Sequence, residues 1–167
     1  LVRSRGLGDV YKRQVFIYSI SFYCDTTQLG IYDGGEWWNY ITYSLIHINF
    51  FHLSINSALF LFYWRRLRNF NLYIIIPIMT ITPILSAIFA TYQEPTVGAS
   101  AIVLSMVGII TAGIEQRYMP KIILLLAFSF LTTGLFAPHI NTLIHVYSFL
   151  ISFAVSLLFR RFIYDRK

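Results

Sequence analysis

Charge is scarce in this chain, and negative charge is scarcest. Of 167 residues only 12% are charged, with seven Asp or Glu against thirteen Lys or Arg, while 57% are hydrophobic and mean hydropathy is +0.64. Soluble domains carry about a quarter charged residues and near half apolar ones. That deficit excludes a disordered chain and an ordinary soluble globule. Cysteine is almost absent: Cys24 has no partner within the chain, which excludes a disulfide scaffold and leaves the redox compartment unread. What remains is apolar. A membrane span takes roughly 20 residues, so the sequence has room for five or six helices with short connections and no separate soluble domain. A net charge of +6 would point to nucleic acid in a soluble protein. Scattered through a lipid-soluble chain it records topology instead, and no nucleic-acid partner is expected.

Residues 1–14 differ from the rest: they hold four of the thirteen basic residues and lack the apolar core of a signal peptide. They read as a foreign or disordered N-terminal segment, similar to the adapter-derived peptides that precede reading frames in environmental sequence assemblies. The apolar run from Val15 to Cys24 is too short to span alone and reads as the truncated end of a first helix. The membrane domain is therefore expected over 15–167. The loop at 25–44 contains Asp25, Asp33 and Glu36 and an aromatic pair, Trp37-Trp38, suited to the headgroup layer. Further spans are expected from about Tyr40 to Trp64, Leu72 to Tyr92, Gly98 to Gly113, Ile122 to Phe136 and Ile140 to Phe159. The third contains Pro77 and Pro83, which neighbouring helices can accommodate in a membrane. The fifth ends at Ala137-Pro138.

Charge placement orients these spans. Every Lys and Arg beyond residue 14 follows span two, four or six, whereas the loops after spans one, three and five hold Asp25, Asp33, Glu36 and Glu94 and neither Lys nor Arg. The positive-inside rule puts the C-terminus in the cytoplasm and the 25–44 loop outside. The expected location is the inner, or plasma, membrane of a bacterium.

Polar side chains inside membrane segments are costly and point to function. Span two carries His47, Asn49, His52 and Asn56, of which His52 and Asn56 share one helical face. Interhelical hydrogen bonding is the competing explanation. Span four opens Gly98-Ala99-Ser100-Ala101, placing a serine at a helix start among small neighbours, where backbone N–H groups are unpaired and a carbonyl has room to approach. A small-residue seam of Ala101, Ser105, Gly108 and Ala112 continues along it. In span six, His145 shares a stripe with Ser148, Ser152 and Ser156. Two small-residue faces allow close helix approach, so the seams of spans four and six are expected to meet. His145 would then face Ser100 at similar depth, as proton transfer between them requires.

The run His47-x4-His52-x3-Asn56, then Gly98-Ala99-Ser100-Ala101, then His145 on the last span resembles the rhomboid family of intramembrane serine proteases. The resemblance covers about Trp37 to the C-terminus. It implies an all-α polytopic membrane protein with a six-helix bundle, in which Ser100 is the nucleophile and His145 the general base and acid. It also implies that His52 and Asn56 donate to the oxyanion beside the Ser100 backbone N–H, and that His47 supports the first loop. Gly98, Ala99 and Ala101 would shape the nucleophile turn, and Gly108, Ser148 and Ser152 the helix contact. The family's usual glycine after the serine is Ala101 here, its usual aromatic four residues on is Leu104, and its Gly-x3-Gly after the last histidine is Ser148-x3-Ser152. Glu36-Trp37-Trp38, His47-Ile48-Asn49 and His145-Val146-Tyr147 further resemble the rhombosortase subgroup, whose substrates carry a C-terminal Gly-Gly membrane anchor.

The expected activity is hydrolysis of transmembrane segments of membrane proteins near the outer membrane face, with the bilayer and those substrates as partners and with no cofactor or metal. The membrane parts of spans two, four and six hold no Asp or Glu, so a Ser-His dyad is expected rather than a triad. Neither a His-Glu-x-x-His helix nor a membrane Asp pair is present, which argues against metallo and aspartyl proteases. The alternative is a catalytically inactive rhomboid-like binder of membrane proteins. A proton-coupled transporter finds no inverted repeat or membrane carboxylate to support it.

Overall fold

The structure is a computed structural model and describes residues 26–92, 94–136 and 140–164. The segment at 1–14, the expected first helix at 15–24, Cys24 and the Ala137-Pro138 break lie outside those residues. Two short helices, α1 (Thr26–Leu29) and α2 (Asn39–Thr42), precede α3 (Phe50–Leu67), α4 (Leu72–Phe89) and α5 (Ser100–Ala112). A 3-10 turn at Gln116–Tyr118 leads into α6 (Met119–Phe136), α7 (Thr142–Leu158) and a short α8 (Arg160–Tyr164). Among the described residues the fold is all-helical, with a lone antiparallel bridge between Ile31 and Thr96.

Helices α3 to α7 occupy the stretches read as spans two to six. Among the described residues only α4 is both long and apolar enough to cross a membrane by itself; α5 and α7 are apolar but shorter. The largest difference from the sequence reading is at the start of α3, which begins at Phe50 rather than near Tyr40. Asn49 is extended (φ −155°, ψ 170°) and its side chain accepts the His52 N–H at 2.8 Å, so it caps the helix there. Residues 43–49 run as turn and loop, which puts His47 before the helix instead of within it. Asn71 and Asn141 cap α4 and α7 in the same way, accepting from Tyr73 N–H and Ile144 N–H.

Helix α5 is the centre of the bundle, packed against α3, α4 and most extensively α7. With apolar lipid on one side and apolar protein on the other, helix association draws on close packing and hydrogen bonds rather than on water exclusion. The α5–α7 contact is of that kind: a Cβ added to Gly108 would collide with the Ser152 hydroxyl and lie 2.6 Å from the Phe149 carbonyl oxygen. The core divides into two clusters at opposite ends. One unites Leu67, Ile75, Ile78, Met79, Met106, Ile109 and Ile163, closed by α8, whose Phe162 and Ile163 carbonyls accept from Asn71. The other unites Ile31, Tyr43, Ala87, Ala90, Ala101 and Ile144 and lies under the start of α5. Large apolar side chains such as Phe62, Ile81, Phe128 and Leu158 face outward, as a lipid-facing surface requires.

Candidate active site

Ser100 is the first residue of α5, and a turn fixed from three sides precedes it. Ile31 and Thr96 exchange both backbone hydrogen bonds, at 3.0 and 2.9 Å. Gly98 N–H donates to the Tyr43 carbonyl at 2.8 Å. Ala99 N–H donates to His47 Nε2 at 3.4 Å, the long end of the range. Each tie comes from the segment between α1 and α3, which is itself held from within. The buried Asn39 amide accepts from Glu36 N–H at 2.7 Å and donates to the Gln28 carbonyl at 2.8 Å, and Thr42 donates to the Leu29 carbonyl at 2.7 Å. Tyr43, almost wholly buried, donates its hydroxyl to the Pro83 carbonyl of α4 at 2.9 Å. The loop therefore acts as a bracket holding the turn at 96–99 against the bundle.

Gly98 has φ +131°, a conformation that disfavours any side chain, and the space beside it is already taken. A Cβ there would lie 2.5 Å from His52 Cε1 and 3.0 Å from His52 Nε2. The His52 imidazole thus packs directly on the Gly98 backbone, two residues before Ser100. Its Nδ1 is buried with no hydrogen-bond partner among the described residues, and its ring meets that of His47 edge-on at 5.2 Å between centroids. Asn56, buried one turn below, donates from its side-chain amide to the His52 carbonyl at 3.1 Å. A carboxamide has two N–H donors; that bond uses one and holds the group against its own helix.

His145 is the fourth residue of α7, and its Nε2 lies 2.7 Å from Ser100 Oγ. The start of α7 is anchored by Asn141, which caps Ile144 N–H at 3.2 Å and donates to the Thr91 carbonyl at 2.9 Å. One turn below His145, Ser148 donates to Ser86 Oγ of α4 at 3.0 Å. The serine stripe on α7 therefore serves two neighbours, with Ser148 bonded to α4 and Ser152 at Gly108 of α5. Ser156 is buried with its hydroxyl unpaired among the described residues.

Ser100, His145, His52 and Gly98 thus come together at one end of the bundle, with His47 behind the turn and Asn56 one helical turn from His52. A hydroxyl this close to an imidazole nitrogen can lose its proton to it and attack a carbonyl. The Ser100 N–H, in the first helical turn, has no intrahelical acceptor and is available to an oxyanion. Residues that carry the geometry but were not singled out in the sequence are Asn39, Tyr43, Ser86 and Asn141. Asn141 had a local signal, an Asn three residues before the first buried position of an apolar run. Asn39 acts within its own loop, on Glu36 and Gln28, whereas Tyr43 and Ser86 act across the fold and have none.

A family model described as Rhomboid domain matches residues 34–162. No curated protein matches the chain.

Proposed function

The chain belongs to the rhomboid family, whose members are integral membrane proteins acting on membrane-protein substrates, and on that premise we propose that it is an intramembrane serine endopeptidase working through a Ser100-His145 dyad. The observation that carries the reading is the 2.7 Å approach of His145 Nε2 to Ser100 Oγ at the start of the central helix.

Ser100 Oγ attacks the scissile carbonyl carbon while His145 Nε2 takes its proton. The oxyanion forms against the Ser100 backbone N–H, with the His52 ring and the second Asn56 N–H as further donors. The C–N bond breaks as His145 returns the proton to the leaving amine, which leaves an acyl-enzyme ester on Ser100. Water then attacks the ester, His145 accepting its proton and passing it back to Ser100 Oγ. The site lies at the end of the bundle that carries Asp33, Glu36 and Glu94, opposite the end that carries Arg65, Arg66, Arg68, Arg160 and Arg161. The positive-inside rule then places Ser100 near the outer face, in a six-span bundle with a cytoplasmic C-terminus. A substrate segment enters sideways and is cut where it unwinds close to that surface. Within the family, Glu36-Trp37-Trp38 and His145-Val146-Tyr147 favour the rhombosortase subgroup; preferential cleavage of a substrate with a C-terminal Gly-Gly anchor over one without it tests that narrower reading.

The direct test of the dyad is labelling of the purified full chain with a fluorophosphonate, followed by peptide mapping. The expected adduct is on Ser100 and is lost in His145→Ala. Absence of labelling in wild-type protein would favour an inactive family member that binds membrane proteins without cutting them.

A further inference from the structure

The proton transfer just described depends on how far along and around its axis α7 presents His145. The α5–α7 contact sets the spacing of the two helices by close packing. Gly108 meets the Ser152 hydroxyl and the backbone of Phe149 and Phe153, and the hydroxyls of Ser105 and Ser152 bond backwards within their own helices. Ser105 donates to the Ala101 carbonyl at 2.9 Å, and Ser152 to the carbonyls of Ser148 and Phe149 at 2.7 and 3.0 Å.

Ser148 differs. Its hydroxyl leaves its own helix and donates to Ser86 Oγ on α4 at 3.0 Å, with both residues fully buried. Ser86 in turn donates its only hydroxyl proton to the Thr82 carbonyl at 2.7 Å. With that proton committed, the Ser86 oxygen can only accept, so the bond from Ser148 has a fixed direction. Ser148 follows His145 by one helical turn on the same face. Above His145, Asn141 ties α7 to the Thr91 carbonyl just beyond the end of α4. His145 therefore sits between two points at which α7 is fastened to α4 and its following loop.

We infer that Ser86 and Ser148 are positioning residues for the dyad, their directed bond to α4 acting with the close α5 contact to set the register at which His145 meets Ser100. The inference rests on the protease reading and has its own test. Wild-type protein, Ser86→Ala and Ser148→Ala are compared by the rate of fluorophosphonate labelling at Ser100, by kcat and KM on a membrane substrate, and by thermal unfolding. Each alanine variant is expected to slow labelling and lower kcat about tenfold, with KM within twofold, because a displaced imidazole affects proton transfer and not substrate docking.

A variant with Ser86→Cys and Ser148→Cys, made with Cys24→Ser, covers the case in which an alanine variant fails to fold. Its disulfide replaces the hydrogen bond by a covalent tie, and reduction leaves two thiols that bond weakly. The oxidised form is expected to label near the wild-type rate and the reduced form several-fold slower. Equal rates in the two forms, or alanine variants labelling within twofold of wild type, overturn the positioning role and leave the dyad intact. Failure of wild-type protein to label removes both.

Discussion

Gly98 shows how much of the site depends on one missing methyl group. Its φ of +131° is strained for any other residue, and a Cβ would meet the His52 ring at 2.5 Å. Gly98→Ala is expected to cost about 1–3 kcal/mol in stability through backbone strain. It should also lower activity by more than that loss of folded protein explains, because the ring it displaces lies beside the expected oxyanion. Thermal unfolding and kcat on one preparation check both parts. Asn56 poses a different question, since one amide proton is committed to the His52 carbonyl. If the second serves the oxyanion, Asn56→Ala should lower kcat on the order of 10²-fold with the Ser100-His145 pair still reactive toward small phosphonates. A kcat within a few-fold of wild type would restrict Asn56 to bracing its helix.

Among the helices, α5 and α6 are opposites. Every residue of α5 from Ala101 to Ala112 is buried or partly so, whereas among the described residues α6 makes thin contact with α7 and with the 3-10 turn before it. Gly108→Ala should destabilise the bundle by about 1–3 kcal/mol through overpacking against α7. Leu131→Ala, at a site on α6 that is 61% exposed, should lie within about 0.5 kcal/mol of wild type. Denaturation in one detergent compares them directly. Local periodicity and composition made the helices themselves legible: the seams at Ala101, Ser105, Gly108 and Ala112 and at Ser148 and Ser152 follow helical spacing, and hydropathy bounded α4 to within a few residues. Three motifs in order marked the candidate site. The entry into α3 was misjudged because hydropathy is blind to a cap, and Asn49 ends an apolar run that otherwise continues from Tyr40. Tyr43 with Pro83, Ile31 with Thr96 and Ser86 with Ser148 could not be read at all. Each joins residues far apart in sequence through hydrogen bonds that leave no periodic trace.

At the scale of the whole molecule, the two ends of the bundle differ in charge, and the difference predicts orientation. With Cys24→Ser as background, a cysteine at exposed Asp33 should react with a membrane-impermeant maleimide added to intact cells, and one at exposed Asn69 should react only after permeabilisation. The reverse pattern would put Ser100 at the cytoplasmic face and move the expected cut to the other end of the substrate. The central claim is that this bundle hydrolyses peptide bonds through Ser100. The measurement that tests it most directly is cleavage of a purified single-span substrate by the purified full chain in liposomes, with wild type, Ser100→Ala and His145→Ala run side by side. Both variants should fold and both should lose cleavage to a similar extent, because the two side chains act as one unit. Cleavage by Ser100→Ala at the wild-type rate would contradict the account.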